Sequence, residues 1–435
     1  MKKLSTVFFD IKRNELVSSS IKVMALRVLG IITLFVFTTY LAHNYDPKII
    51  GQFDFIRTYL LVVGTICILG TDQSILYFSG FLNSTEMQGR LRKIYKKILF
   101  IILSTSITIF LIFLLIGQNN INTFFNDTFT YFNLLKATSL LLFYSITLFN
   151  TEVLRALNSV YVAELFRNTF KYISVIIGSI ILIKINEPGY LVDAFLVGFI
   201  LLSVISTVLI FNIFKKQNNN LKELDYSYAE IVKKSYPMGS SALAIFLLMS
   251  FDIIFIKKYY GDEKVAYYSI AMKLMTILLM IMNSVTITIC TKISENFSNN
   301  NMNELKTLMR NSARIIFGLS IPLVLVICFF ANSILGFFGT NFLESKSALL
   351  VLVIGQGICS MFGGVQVYLN MTGRQNLFQI ILGLTVVINF SLNAFLVPLY
   401  GMVGGAISYV VSMFIWNLVV TVIVYKKDKI NVFIS

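Results

Sequence analysis

Four cations stand inside long apolar runs: Arg27, Arg57, Lys171 and Lys273. Such a charge at the centre of a bilayer costs on the order of 3 kcal/mol on insertion scales, so it is kept where it faces a bundle interior or a wet cavity. The runs place Arg27 early in a first helix, Arg57 near the outer end of a second, Lys171 near the middle of a fifth and Lys273 in the outer half of an eighth. A ladder of positive charge suits the passage of an anionic group. Arginine offers a planar fork for phosphate oxygens and lysine a mobile point charge. The competing account is plainer. Arg27 and Arg57 lie within reach of an interface and can snorkel, and Arg167, one turn before Lys171, continues a cationic face. Lys136 and Arg155 fall near helix ends and read as interfacial. Glu152 with Arg155, and Glu164 with Arg167, have the i,i+3 spacing of local ion pairs.

Two acids share these apolar surroundings. Asp72 follows Leu69-Gly70-Thr71 near the inner end of the second helix, and Asp252 sits in Met249-Ser-Phe-Asp252-Ile-Ile-Phe-Ile of the seventh. Either can bind a coupling cation or proton, or neutralise a neighbouring cation. Little else in the chain points to catalysis. No Walker A sequence and no G-x-S-x-G elbow is present. The one histidine, His43, cannot build a triad or a metal cluster. The four cysteines, Cys67, Cys290, Cys328 and Cys359, form no C-x-x-C pair and read as small buried apolar residues. The expectation is a chain without enzymatic activity, metal or cofactor.

Those residues must be held by membrane helices. Charged residues make up 13% of the chain and apolar ones 57%, against about a quarter charged in a soluble protein, so the excess apolar surface faces lipid. A helix needs roughly 20 apolar residues to cross a core of about 30 Å. Such runs recur at 23–42, 52–72, 97–117, 131–154, 161–183 and 191–214, then at 237–258, 265–290, 312–331, 347–370, 376–397 and 402–425. They do not alternate as barrel strands would. The fold class is therefore an all-α polytopic membrane protein of about twelve transmembrane helices, in two six-helix lobes around a central cavity. The amphipathic, basic start has no cleavable signal pattern, and the first apolar run is expected to stay as the first helix.

The net charge of +15 could suggest nucleic acid in a soluble chain. Here it follows the bias of Lys and Arg towards cytoplasmic loops. Basic residues cluster before helix 1, between helices 2 and 3 (Arg90, Arg92, Lys93), between 6 and 7 (Lys215, Lys216, Lys222, Lys233, Lys234), between 8 and 9, and in the tail. Lys257, Lys258 and Lys264 are the exception. Both termini are then cytoplasmic. The longest polar break, within 215–234, divides an N-terminal lobe (1–214) from a C-terminal lobe (235–435), with 215–234 as a cytoplasmic linker. Asp46-Pro-Lys-Ile-Ile-Gly51 through Arg57 and Gly261-Asp-Glu-Lys-Val-Ala266 through Lys273 share a polar turn, an aromatic and an early cation, as a parallel repeat of two lobes would.

Several stretches resemble the polysaccharide flippase branch of the multidrug/oligosaccharidyl-lipid/polysaccharide exporter superfamily. One is Asp252-Ile-Ile-Phe-Ile-Lys-Lys-Tyr-Tyr-Gly261 followed by Val265-Ala-Tyr-Tyr-Ser-Ile-Ala-Met-Lys273-Leu, with Ala266 where the family usually has Gly. Another is Asn389-Phe-Ser-Leu-Asn393 running through Pro398 and Gly401 to Gly404-Gly405-Ala406. Asn370-Met-Thr-Gly373-Arg374 and Leu69-Gly70-Thr71-Asp72 are similar to shorter family segments. The resemblance implies translocation of undecaprenyl-pyrophosphate-linked oligosaccharide repeat units, of O-antigen or capsule type, across a bacterial inner membrane by alternating access. Arg27, Arg57, Lys171 and Lys273 would bind this substrate. Asp72 and Asp252 would serve proton or Na⁺ coupling or charge neutralisation. The implied partners are the lipid-linked oligosaccharide, membrane lipids, a polysaccharide polymerase and a chain-length regulator, with no nucleic acid. The alternatives are a cation-coupled multidrug exporter of the same superfamily and a membrane glycosyltransferase such as an O-antigen polymerase.

Overall fold

The computed structural model describes residues 2–83, 91–216 and 226–430. Arg90, Lys222 and the part 217–225 of the expected linker lie outside the described residues. Helices account for almost everything else, and no strand occurs among the described residues. A bilayer dictates this, because every backbone N–H and C=O must be satisfied within its own segment. The apolar face is turned outward accordingly: Leu115 and Phe329 are more than four-fifths exposed.

The helices run in order α1 (Lys2–Asn44), α2 (Pro47–Ile68), α3 (Thr71–Asn83), α4 (Leu91–Ile116), α5 (Gln118–Phe125), α6 (Thr128–Ser139), α7 (Leu141–Ala156), α8 (Val160–Leu165), a π-helical turn (Phe166–Phe170), α9 (Lys171–Lys184) and α10 (Leu191–Lys216). There follow α11 (Tyr228–Leu248), α12 (Phe251–Ser298), α13 (Met302–Phe329), α14 (Ala331–Phe338), α15 (Lys346–Cys359), α16 (Val365–Met371) and α17 (Gln375–Asp428).

Among the described residues, nine helical stretches are long and apolar enough to cross a membrane, and ten if the pair α6–α7, bent by 49°, is one crossing. Two of the ten are too long to be single. Tyr228–Ser298 has 71 residues and Gln375–Asp428 has 54, about 105 and 80 Å at 1.5 Å per residue, against a core of about 30 Å. Each is broken inside by a glycine in a conformation that L side chains avoid: Gly261 at φ 79°, ψ −173° and Gly401 at φ 56°, ψ −132°. Splitting the two at these glycines gives twelve crossings.

The second crossing ends earlier than its apolar run suggests. Leu69 and Gly70 take positive φ, so the helix stops at Ile68 and Asp72 begins α3 instead of ending α2.

The chain forms two compact units that interleave in sequence. One comprises Met1–Asn44, Val63–Gly117 and Phe132–Gly239; the other comprises Tyr45–Val62, Gln118–Tyr131 and Ser240–Ser435. In the first, α7, α10 and α4 surround a buried Asn150, whose amide donates to Ser206 and Thr207 at 2.9 Å and accepts from Tyr95 at 3.0 Å. In the second, a core of Leu248, Ile293, Met309, Phe362, Phe378 and Trp416 joins α11, α12, α13 and α17. Most buried hydroxyls in both units need no distant partner. Thr38, Thr58 and Thr138 each donate to the carbonyl four residues back.

The breaks of the second unit lean on one another. Tyr260, just before Gly261, donates its hydroxyl to the Pro398 carbonyl at 3.0 Å, and its ring lies 3.4 Å from where a Cβ at Gly401 would stand. Gly51 in α2 faces the backbone of Asp262 so closely that a Cβ there would fall 1.8 Å from the carbonyl oxygen. The two turn segments that look alike in sequence thus touch.

Candidate functional site

The first unit gathers charge where α1, α7, α8 and the π-helical turn meet. Glu164 and Glu152 are the anchors, with side chains 1% and 3% exposed. Arg27 reaches Glu164 at 3.0 Å from α1, and Arg155 reaches Glu164 at 2.9 Å and Glu152 at 3.0 Å. Arg167 pairs with Glu152. Asn168 adds a hydrogen bond to Glu164 at 2.8 Å. The acids are sealed and the cations are not: the arginine side chains are 36%, 23% and 40% exposed. Each buried carboxylate holds guanidinium groups that remain partly exposed.

The π-helical turn sets this geometry. A local pair between Glu164 and Arg167 is what i,i+3 spacing predicts. Phe166–Phe170 instead winds as a π-helix, which rotates Arg167 off the face of Glu164 and onto Glu152, fifteen residues away. Such single-turn insertions mark functional positions in helices. Arg155 is likewise more than the interfacial residue that its place near a helix end suggests, since it bridges both acids. Asp72 lies half-buried within Coulombic reach of Arg167 and Glu152, its carboxylate 3.3 Å from the Gln73 amide. Lys171, the first residue of α9, holds its ammonium 4.9 Å from the ring centre of Tyr172.

The second unit brings two of the predicted cations together on an acid that the sequence reading passed over. Asp54 of α2 is fully buried. Lys273 of α12 donates to it at 2.9 Å, and the Arg57 Nε lies 3.3 Å away. The Lys273 side chain is 8% exposed and that of Arg57 32%, so Arg57 is the member that can reach a ligand. Asp252 is buried in α12, accepting from the Tyr268 hydroxyl at 2.5 Å and the Ile253 N–H at 2.9 Å. A Cβ at Gly405 would stand 3.2 Å from the Asp252 Cβ; the missing side chain lets α17 close over the acid. Nearby on α17, Asn389 donates to Ser412 at 3.1 Å, and Asn393 donates to the Asn389 carbonyl at 3.0 Å.

A third cluster lies by Gly261. Lys257, nearly fully buried, pairs with Asp262 at 2.5 Å and Asp127 at 2.9 Å. Lys258 sits 4.1 Å from the ring centre of Phe124. Burial works to raise the Asp127 carboxyl, but hydrogen bonds from Thr130 and Lys257 and the lysine charge outweigh it and hold the group below its ordinary value. No group of three or more His, Cys, Asp or Glu suited to a metal occurs among the described residues.

The fold is shared with solved membrane transporters. The chain is similar to a structure described as the lipid II flippase MurJ in an inward closed conformation, with a TM-score of 0.71 and 15% identity, covering 94% of this chain and 88% of that one. It is similar to an inward-facing multidrug resistance MATE family transporter of the MOP superfamily, with a TM-score of 0.73 and 14% identity over 94% and 98% of the two chains. The MATE multidrug transporter DinF-BH gives a TM-score of 0.69 and 14% identity over 96% of each. No curated protein matches at a significant level. A family model described as MatE matches residues 237–395. The model described as polysaccharide biosynthesis protein matches residues 16–290, well over half of the chain: the chain belongs to the polysaccharide biosynthesis protein family.

Proposed function

We propose that this protein is a flippase that moves undecaprenyl-pyrophosphate-linked oligosaccharide repeat units, of O-antigen or capsule type, across the bacterial inner membrane by alternating access. The observation that carries the reading is the cluster of Arg27, Arg155 and Arg167 over Glu152 and Glu164. Buried acids under part-exposed arginines turn guanidinium donors outward, and because Asp72 brings the cluster near charge balance, it would favour an anion through directed hydrogen bonds. A pyrophosphate fits it. A cationic drug, the cargo of the rival multidrug reading, would need the acids exposed and the arginines absent. The polysaccharide biosynthesis family match and the likeness to a lipid II flippase support the same cargo class.

Arg57 in the second unit and Lys171 in the first are further contacts for the anionic head. Lys273 acts through Asp54, holding it so that Arg57 is aimed. Asp252, and Asp72 beside the arginines, are the positions for proton or Na⁺ coupling. We keep 1–214 and 235–435, joined by 215–234, as the proposed lobes of the alternating-access cycle. The basic loops favour an orientation with both termini in the cytoplasm. A polymerase and a chain-length regulator would receive the exported units.

The test separates cargo binding from charge balance. The pair Arg155→Gln/Glu164→Gln removes one cation and one anion together. Surface polysaccharide is measured in a host lacking its own flippase, with membrane levels matched. Loss of about tenfold or more is expected, as for the loss of charge-assisted hydrogen bonds. Full export by the double variant means that the arginine only balanced the glutamate, and the reading fails.

A further inference from the structure

The first unit carries a groove that none of the charged clusters uses. It lies between α9 and α10, has a volume of about 860 Å³, and runs from Leu165 and Leu209 at one end to Leu182 and Tyr190 at the other. Its floor is made by small residues. A Cβ at Gly178 would stand 2.9 Å from the Ala194 Cβ, and one at Gly198 would stand 2.7 Å from the Ser174 hydroxyl. The helix backbones therefore approach closely there. The larger side chains Ile177, Ile181, Val197 and Leu201 splay outward as walls, each about half-exposed.

At the Leu209 end the groove runs into a second cavity of about 260 Å³, which shares Val162 and Leu209 with it and is lined also by Ser159, Asn212 and Lys216. An apolar trough thus ends in a hydroxyl, an amide and an ammonium. That is the polarity of an amphiphile with an anionic head.

Length selects the occupant. From Leu165 to Leu182 the trough follows the end of α8, the π-helical turn and α9 for about 25 Å, at close to 1.5 Å per residue. The acyl chain of a phospholipid reaches only half of a core of about 30 Å, so it would leave the far half of the trough empty. We infer that this groove holds the polyisoprenoid chain of a lipid whose phosphate rests at Lys216, on the side that the basic loops make cytoplasmic. This deepens the proposed flippase function and rests on it for the identity of the lipid: the tail has its own track, continuous across both leaflets, so the chain can stay in the groove and slide to reverse its direction as the head changes sides.

The experiment uses the full-length protein in liposomes of phosphatidylethanolamine and phosphatidylglycerol, with a trace of polyprenyl phosphate bearing a diazirine in its tail. After illumination the labelled residues are mapped by mass spectrometry. Label on 173–205 should exceed that on 101–116 of α4, an equally apolar and exposed stretch, by about fivefold. Val197→Trp and Leu201→Trp, which fill the trough, should remove the excess, and Leu111→Trp on α4 should not. Lys216→Glu should weaken labelling by the phosphate, and Lys216→Arg should preserve it. Excess unlabelled polyprenyl phosphate should compete, and added phosphatidylglycerol should not. Even labelling of both stretches, or equal competition by phosphatidylglycerol, overturns the inference. Labelling is read without transport, so an export-dead Arg155→Gln/Glu164→Gln protein that labels normally separates the two proposals. So does an exporting protein without the excess.

Discussion

Arg155 and Arg57 do different work from the residues they touch. Arg155 lies over two acids that are nearly sealed, and a carboxylate so placed is costly unless it is paired and hydrogen-bonded. Removing the cation alone should therefore harm folding as well as function. Arg155→Ala is expected to lose less than the roughly 3–5 kcal/mol of a buried charge left wholly unpaired, because Arg27 still faces Glu164 and Arg167 still faces Glu152, and the loss should be seen as a fall in membrane level or melting temperature. Arg155→Lys should keep the level and still lose export, because a point charge cannot bridge Glu152 and Glu164 at once. Lys273 shows the same logic in the second unit. Lys273→Ala leaves Asp54 with Arg57 alone, so instability should accompany any loss of export. Arg57→Ala, at a one-third exposed position, should reduce export with the smaller loss of stability. Asp127 supplies a pH test. Its carboxyl is held below its ordinary value, so the contribution of its contact with Lys257 is complete above the usual aspartate range and is lost as pH falls through the lowered value. Hydrogen exchange of the backbone amides over 127–130 in detergent, corrected for its intrinsic pH dependence, should rise only under that acid condition, and it should be high at neutral pH in Asp127→Asn.

At the scale of elements, the π-helical turn and the two broken helices carry the argument. Deleting Thr169 would return Phe166–Phe170 to an ordinary helical register. Arg167 would then face Glu164 again, and export should drop while α9 still inserts; unchanged export would show that the wide turn is incidental. Gly401→Ala should destabilise, because φ 56° with ψ −132° suits glycine alone and Tyr260 crowds the site. The breaks themselves were legible in the sequence. A polar turn around Gly261 and the Pro398–Gly401 pair both announce a helix reversal. The π-turn was not, since FRNTF in an apolar run carries no signal that separates it from α-helix. Asp54 was missed for a related reason. It stands near the start of an apolar run, where an acid reads as interfacial, and its partner Lys273 lies 219 residues away. Periodicity finds neighbours on one helix. It cannot find pairs that only the tertiary fold brings together, and Arg27 with Glu164, 137 residues apart, is a second case. That the four cations stand on long helices was readable; which of them share an acid was not.

At the scale of the whole molecule, the expected twelve crossings follow from length once the two long stretches are divided at their glycines. The orientation proposed from the basic loops can be checked directly. With Cys67, Cys290, Cys328 and Cys359 replaced, Asn126→Cys should react with an impermeant maleimide added outside the cell, and Lys427→Cys should react only after permeabilisation. The reverse pattern would turn the molecule over, and with it the assignment of the Lys216 end of the groove to the cytoplasmic leaflet.

The interleaving of the two units also sets a timetable for synthesis. Asp54 enters the membrane with the second crossing, but Lys273 is made 219 residues later, on the order of 10–40 s at ribosomal speeds of about 5–20 residues per second. Throughout that interval a carboxylate destined for burial has no final partner. Arg57, one turn further along the same helix and 3.3 Å away in the finished protein, is the counter-ion that emerges with it. It can escort Asp54 into the translocon and then cede first place to Lys273. In pulse–chase labelling, Arg57→Ala should therefore lose incomplete nascent chains within the interval of about 10–40 s before Lys273 is made.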